Sequence, residues 1–332
     1  MDILRVRYRQ RMIVARQPWD HDGWFVEMSA WVDARLTDAG IRRRGPVRQV
    51  RAWARAALLT IDSDHGRLWA KAVPAVFAHE IAVTELLADV DPGVVPPVVA
   101  ADRALGRIIT EHVEGLTLAA IGDDPIIWTA VLSRLAEIQR VLAADLDALR
   151  VAGVAAAPLD RLATSVPAIL ADDDLLLVGR PGGLSSSEAG SLRRRVPALV
   201  DACRDLAASG VPDSLEHGDL AGDEIILGPM GPVFLDWSDG SVTHPFLSAA
   251  SLLRSLGATD ADADELVAAY LGPWLASGQV SAADGRAALD LARIVLPLHL
   301  AAMYADRILP ALQTPDEIGH VVPDALRSIL PG

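Results

Sequence analysis

Cysteine is almost missing from this chain of 332 residues, Cys203 being the only one, which excludes an internal disulfide framework and a cysteine-based metal centre. Its neighbours, Val200 to Leu206, read as a helix in which a lone thiol serves packing. Long apolar runs are missing too: no stretch long enough to span a bilayer is free of charge and proline, and MDILRVRYRQ at the start has no apolar leader core. The apolar segment Ile294 to Leu312 contains Pro297, His299, Asp306 and Arg307 and reads as core helix. No membrane association is expected, and the cytoplasm is the expected compartment. Positive charge is in deficit, with a net charge of -14 and a pI near 4.9. That argues against nucleic-acid or anionic-membrane partners and mildly favours cationic small molecules.

Several catalytic signatures are also absent. No GxxxxGK[ST] loop or GxGxxG fingerprint occurs, which argues against P-loop and Rossmann chemistry. His79-Glu80 begins an HExxH pattern, but Val83 stands where the second histidine is needed. Asp260, Asp262 and Asp264 imitate an EF-hand loop, yet Glu265 replaces its glycine and Leu271 its closing glutamate, so they read as capping and solvating residues. No GxSxG elbow marks a serine hydrolase.

What is present supports a substantial core: 51% of residues are hydrophobic, and the length suits two lobes. Trp24 to Leu36 has helical spacing, with Gly40 as a stop. Val47 to Val73 splits into three β-forming runs, VRQVRAW, ALLTID and RLWAKAV, which predict three antiparallel strands. A helix is predicted over Val76 to Val90, with Glu80 on its apolar stripe. A carboxylate there needs a partner, and Lys71 in the preceding strand is the nearest in sequence; the alternative is that Glu80 lies at the edge of the stripe and is solvated. Two further strands around Val98 and Ile108 lead to a polar connector, Glu111 to Gly115. The lobe boundary is placed there, giving a lobe of residues 1–115 and a mostly helical lobe of residues 116–332. In the second, helix is predicted over Ile126 to Leu149, from Ser187-Glu188 after a flexible 180–187 loop, and over Ser248 to Leu256, Asp264 to Leu271 and Ala282 to Ile308.

The chemistry concentrates in Glu216 to Asp239, EHGDLAGDEIILGPMGPVFLDWSD, where six carboxylates surround two apolar runs. Ile225-Ile226-Leu227 and Val233-Phe234-Leu235 predict a hairpin with a five-residue loop, Gly228 to Pro232. Antiparallel pairing brings Glu224 and Asp236 to its open end, roughly 5 Å apart, and Asp219 could reach the same place. Three converging carboxylates require compensation, which a divalent cation with oxygen ligands supplies most simply.

Taken in order, Lys71 in a third strand, Glu80 in the next helix, the 111–115 connector, HGDL at His217 to Leu220, and Asp236-Trp237 after a hairpin resemble the aminoglycoside phosphotransferase family, relatives of the protein kinases. GPVRQVRAW, WAKAVPAVFAHE and DWSDGSVTHPF also resemble an actinobacterial-type branch of unassigned substrate. The resemblance runs from about Trp24 to the C-terminal helices. It implies an α+β, bilobal protein-kinase-like fold: a small antiparallel-sheet lobe with one key helix, and a larger helical lobe carrying the catalytic loop and metal-binding hairpin.

It further implies an ATP- and Mg²⁺-dependent kinase acting on a small-molecule hydroxyl. Asp219 would be the catalytic carboxylate, Asp236 and Glu224 metal ligands, Lys71 the contact to the α and β phosphates and Glu80 its anchor, while backbone near Glu111 and Val113 would receive the adenine. His217 and His244 are expected to be structural. The chain departs from the family pattern at Ala221 and Glu224, which stand where a polar residue and an Asn or Gln are usual, and in the glycine-free loop Arg51 to Arg55. A competing expectation is a kinase-like protein that binds nucleotide without transfer. A metal-dependent phosphohydrolase is a third reading, one that has no need of a Lys71–Glu80 pair.

Overall fold

The computed structural model describes residues 17–122, 124–257, 260–278, 280–312 and 318–330, with the side chains of 260–263 also left undescribed; Asp260 and Asp262 therefore lie outside the described side chains.

The first helix, α1 (Trp24–Asp38), buries Trp24, Met28, Val32 and Leu36 at the i, i+4 spacing that aligns them on one face. This face covers a five-stranded antiparallel sheet built from β1 (Arg48–Ala52), β2 (Ala57–Ser63), β3 (Gly66–Ala72), β4 (Val98–Asp102) and β5 (Arg107–Glu111) in the order β1-β2-β3-β5-β4. Strand alternation sorts the side chains: Leu59 and Ile61 of β2 and Leu68 and Ala70 of β3 join α1 in one core, with Ile109 of β5 beside them. Lys71 therefore leaves the opposite face.

Beyond Pro74 the predicted helix begins three residues later than expected, because Ala75–Phe77 forms a separate tight turn before α2 (His79–Val90). After the connector, β6 (Leu116–Thr117) leads to α3 (Pro125–Ala143), whose start is capped by Asp124. The expected helix through Leu149 is interrupted after Ala143: Asp145 caps a new short helix, Leu146–Val151, because its carboxylate satisfies the Ala148 N–H. β7 (Ala155–Ala156), α4 (Leu159–Ala171), α5 (Ser186–Arg194) and α6 (Val196–Ala207) follow. The start of α5 lies one residue before the predicted one, since Ser185 and Glu188 form a reciprocal capping box.

The acidic stretch supplies β8 (Ser214–Glu216), β9 (Ile225–Gly228), β10 (Gly231–Phe234) and β11 (Ser241–Thr243). β9 and β10 do form the predicted hairpin, but its loop is two residues, Pro229-Met230, rather than five: Gly231 pairs with Gly228 at a φ of +114° open to glycine. β6 adds to its free edge, and a second small sheet runs β7-β11-β8.

The helices α7 (Phe246–Ser255), α8 (Asp260–Ala276), α9 (Ala282–Met303) and α10 (Val321–Arg327) complete the larger part. A wider turn, Tyr304–Ile308, continues α9. By length and composition, Ala282–Ala311 could cross a bilayer, yet 67% of its apolar window is buried within the chain, as in a core helix. The main core joins Phe77, Ile81 and Leu87 of the α2 region to Leu132 and Leu135 of α3 and Leu289 and Val295 of α9.

Candidate active site

The site forms where three structural units meet. Lys71 reaches from β3 to α2, where Nζ donates to Glu80 Oε1 at 2.6 Å, and to the end of the hairpin, where it donates to Asp236 Oδ1 at 2.9 Å. Glu80 is only 6% exposed and lies in the first turn of α2, where the helix dipole favours a carboxylate. Burial opposes the charge on Lys71, but Glu80 and Asp236 more than offset it and hold the ammonium well above its ordinary value. Burial likewise opposes ionisation of Asp236, yet Lys71 keeps that carboxyl well below the usual range. Asp236 is one of two non-glycine residues with positive φ among those described, at +55°, a left-handed conformation that costs roughly 1–2 kcal/mol. The strain aims its carboxylate at Lys71.

The hairpin positions its two acids as the alternation requires. Ile225 pairs with Phe234, and Leu235 N donates to Glu224 O at 2.8 Å, so Glu224 and Asp236 leave adjacent chain ends. The Glu224 carboxyl makes no hydrogen bond or ion pair with any described residue. Burial, then Asp236 and Asp219, push it up to about 7. No three His, Cys, Asp or Glu among the described residues converge as a ready metal centre. The donors nevertheless suit a hard cation that completes its shell elsewhere: Glu224 and Asp236 offer carboxylate oxygens, and the repulsion raising Glu224 is what a cation would relieve.

The loop carrying Asp219 is fixed from below. Asp219 N donates to His217 Nδ1 at 3.4 Å, which sets the tautomer so that Nε2 donates to Leu235 O at 2.8 Å. The ring also packs on Trp237, with centroids 4.5 Å apart. Glu216, wholly buried, accepts from Gly218 N at 2.8 Å and faces His299 Nε2 at 3.3 Å. A side chain at Gly218 is impossible, since a Cβ would lie 2.5 Å from that of Asp239 and φ is +88°. The Asp219 residue is exposed, and its side chain makes no hydrogen bond to any described residue. His244 is buried, accepts from Phe246 N through Nδ1 and meets Ser209 Oγ through Nε2, consistent with a structural role.

At the connector the two expected positions separate. The Glu111 N–H is used by Pro97 O at 2.9 Å, and the His112 N–H by Arg67 O. Of the two, it is the Val113 backbone that makes no hydrogen bond among the described residues, which leaves it open to a flat polar ligand.

Two features escaped the sequence reading. Lys71 is the only lysine in the chain, all 29 other cationic side chains being arginine, and asparagine does not occur at all. A chain that uses arginine everywhere else and retains one lysine marks that position, and the absence of asparagine puts Glu224 in context. The second is Arg55, from the loop noted only for lacking glycine, which enters the same cleft and contacts Asp239.

No protein-family model matches the chain, and no curated protein matches it by sequence. Solved structures do. A GDP complex of wild-type aminoglycoside 2'-phosphotransferase-IIIa superposes with a TM-score of 0.64 at 14% identity, covering 91% of this chain and 98% of that one. Macrolide 2'-phosphotransferase type I gives 0.59 at 15% identity, covering 91% and 97%. A choline kinase from Cryptosporidium parvum Iowa II gives 0.59 at 11% identity, covering 86% of each chain. The chain therefore has the α+β, protein-kinase-like fold of the aminoglycoside-phosphotransferase type.

Proposed function

We propose that this protein is a small-molecule kinase that transfers the γ-phosphoryl group of ATP, with Mg²⁺, to a hydroxyl group. The observation that carries this reading is the placement of Lys71 between Glu80 and Asp236, which joins sheet, helix and hairpin around one fixed positive charge. Phosphoryl transfer is catalysed mainly by positioning and by neutralising charge on the phosphates, and this arrangement provides both. The solved structures of the same fold, named for aminoglycoside, macrolide and choline phosphorylation, support it by fold.

In this reading residues 1–115 hold the nucleotide and residues 116–332 the acceptor. The free Val113 backbone receives the adenine edge; Glu111 contributes through its place at the end of β5, since its N–H is already used. Lys71 contacts the α and β phosphates while Glu80 keeps its ammonium extended. Glu224 and Asp236 would hold Mg²⁺, which when bound would neutralise phosphate charge. Asp219, an exposed residue whose carboxylate bonds to no described residue, orients the acceptor hydroxyl and takes its proton as the oxygen attacks. The acidic surface favours a cationic acceptor such as an amino sugar, an aminoglycoside or a choline-like alcohol.

The test is ATP and GTP consumption across a panel of hydroxylated metabolites and antibiotics, with Asp219→Asn as the control. Acceptor-dependent turnover that vanishes in the variant supports the reading, and full turnover in the variant sinks the assigned mechanism. Glu224 and Ala221 favour a second reading, a protein that binds nucleotide without transferring phosphate. Its signature is stabilisation by Mg²⁺-ATP with no turnover across the panel.

A further inference from the structure

Arg55 sits at the tight turn between β1 and β2, closed by Trp53 N donating to Ala56 O at 3.0 Å. Its side chain leaves the sheet and crosses to the helical part of the molecule. There Nη2 donates to Asp239 Oδ1 at 2.5 Å and to Ser238 Oγ at 3.2 Å, and Nη1 donates to Tyr304 Oη at 3.0 Å. The guanidinium also lies over the Phe77 ring, 4.9 Å from its centroid. One side chain thus ties the β1–β2 turn to the approach to α2, to the segment just after Asp236, and to the end of α9.

This contact is not an ordinary surface ion pair. The Arg55 side chain is 17% exposed and that of Asp239 is 1% exposed, so neither is well solvated. The pairing is also incomplete, because Asp239 Oδ2 is buried without a hydrogen-bond partner among the described residues. Asp239 is held independently, through Arg307 donating to its backbone carbonyl at 2.7 Å and to that of Gly240 at 3.1 Å. The acidic residue is therefore anchored by a second arginine, whereas Arg55 is carried by a short turn between two strands. Arg55 also acts electrostatically on Glu80, Asp219 and Asp236, so it lies among the groups that surround the proposed phosphate site.

Resting on the proposed nucleotide site, we propose that Arg55 is a phosphate-binding residue latched to Asp239 and Tyr304 in the nucleotide-free protein, exchanging the Asp239 carboxylate for a terminal phosphate oxygen when nucleoside triphosphate enters. A guanidinium binds phosphate oxygens through the same paired N–H geometry with which it binds carboxylates, so the exchange conserves its hydrogen bonds. The turn brings a mobile charge to the phosphates where a glycine-rich loop would bring backbone N–H groups. The latch also makes closure of the sheet over the helical part depend on what occupies the cleft.

The experiment is an affinity series with adenosine, ADP and ATP, each with Mg²⁺, measured by calorimetry on wild type, Arg55→Lys, Arg55→Gln and Tyr304→Phe. Arg55→Gln is expected to weaken ATP binding about tenfold or more, ADP less, and adenosine not at all, with Arg55→Lys recovering part of the loss. Tyr304→Phe, which removes one latch bond and keeps Arg55, is expected to tighten ATP binding a few-fold and leave adenosine unchanged; it keeps the test open should Arg55→Gln fold poorly. Equal weakening of all three ligands by Arg55→Gln, or no change in either variant, overturns the inference while leaving proposed phosphoryl transfer intact. Wild type that binds ATP without transferring phosphate refutes transfer, and the graded loss then still supports Arg55. Wild type that binds none of the three overturns both.

Discussion

Lys71 Nζ donates to Glu80 Oε1 at 2.6 Å across the gap between β3 and α2, and the pair combines the only lysine of the chain with a carboxylate that has no other hydrogen-bond partner among the described residues. Because Glu80 is buried, the two charges depend on each other. Removing Lys71 as Lys71→Ala is expected to destabilise the fold by about 3 kcal/mol, the scale for stranding a buried charge, and to lower the proposed phosphoryl transfer by roughly a hundredfold or more. Chemical denaturation and steady-state turnover measure the two effects. Uniqueness adds a second readout: an acyl-phosphate derivative of ATP should label one internal site, Lys71, and excess Mg²⁺-ATP should protect it. Labelling elsewhere with Lys71 untouched would place the nucleotide elsewhere.

The Asp219 side chain makes no hydrogen bond to any described residue, so its substitution should be quiet structurally. Asp219→Asn is expected to melt close to wild type and bind Mg²⁺-ATP normally, while turnover falls by about a thousandfold, within the range for a lost general base. A parallel loss of nucleotide affinity would move Asp219 from proton transfer to ligand binding.

Glu224 carries the carboxyl raised to about 7 by burial and by its acidic neighbours. In the folded state it holds a proton above the pH at which the unfolded chain gives it up, so between about 4.5 and 7 it favours folding at lower pH and opposes it as pH rises. Glu224→Gln is therefore expected to melt higher than wild type at pH 8 without nucleotide. It should also need about tenfold more Mg²⁺ for half-maximal stabilisation by ATP, through loss of one charged ligand. An unchanged Mg²⁺ requirement would remove Glu224 from the ligand set.

His244 is buried, and burial lowers its pKa from about 6.5 to about 3. The unfolded chain then binds more protons than the folded one between those values, so stability falls as pH drops below about 6.5, by roughly 1.4 kcal/mol per pH unit for the one group. Urea midpoints between pH 7 and 4.5 should show this limb. His244→Asn should flatten it by that slope while costing stability at pH 7, where the Phe246 N–H and Ser209 contacts are weakened.

Cys203 is fully buried in α6, and burial pushes its thiol up to about 11. Reaction with a disulfide reagent at pH 7.5 is expected to be at least about a thousandfold slower in the native protein than in denaturant, following thiolate fraction and access. Fast native labelling would show that α6 opens readily.

The sequence by itself determined the local elements and much of their order. Alternation fixed which face of β3 carries Lys71, helical spacing put Glu80 on the buried side of α2, and two apolar runs separated by Gly-Pro-Met-Gly-Pro specified the hairpin that sets Glu224 beside Asp236. Each of these follows from neighbours within a few residues. Only the tertiary structure decided the rest. Arg55 meets Asp239 across a separation of 184 residues, and Glu216 meets His299 across 83, distances over which no periodic pattern carries information. The same limit explains why the sequence could pick Asp219, Glu224 and Asp236 out of the acidic stretch but not their surroundings: burial, a left-handed backbone at Asp236 and the partners Lys71, Arg55 and His299 separate Glu216, Asp236 and Asp239 from the exposed Asp219 and the half-buried Glu224. A carboxylate acquires its character from surroundings that distant parts of the chain supply, and those surroundings exist only once the chain has folded.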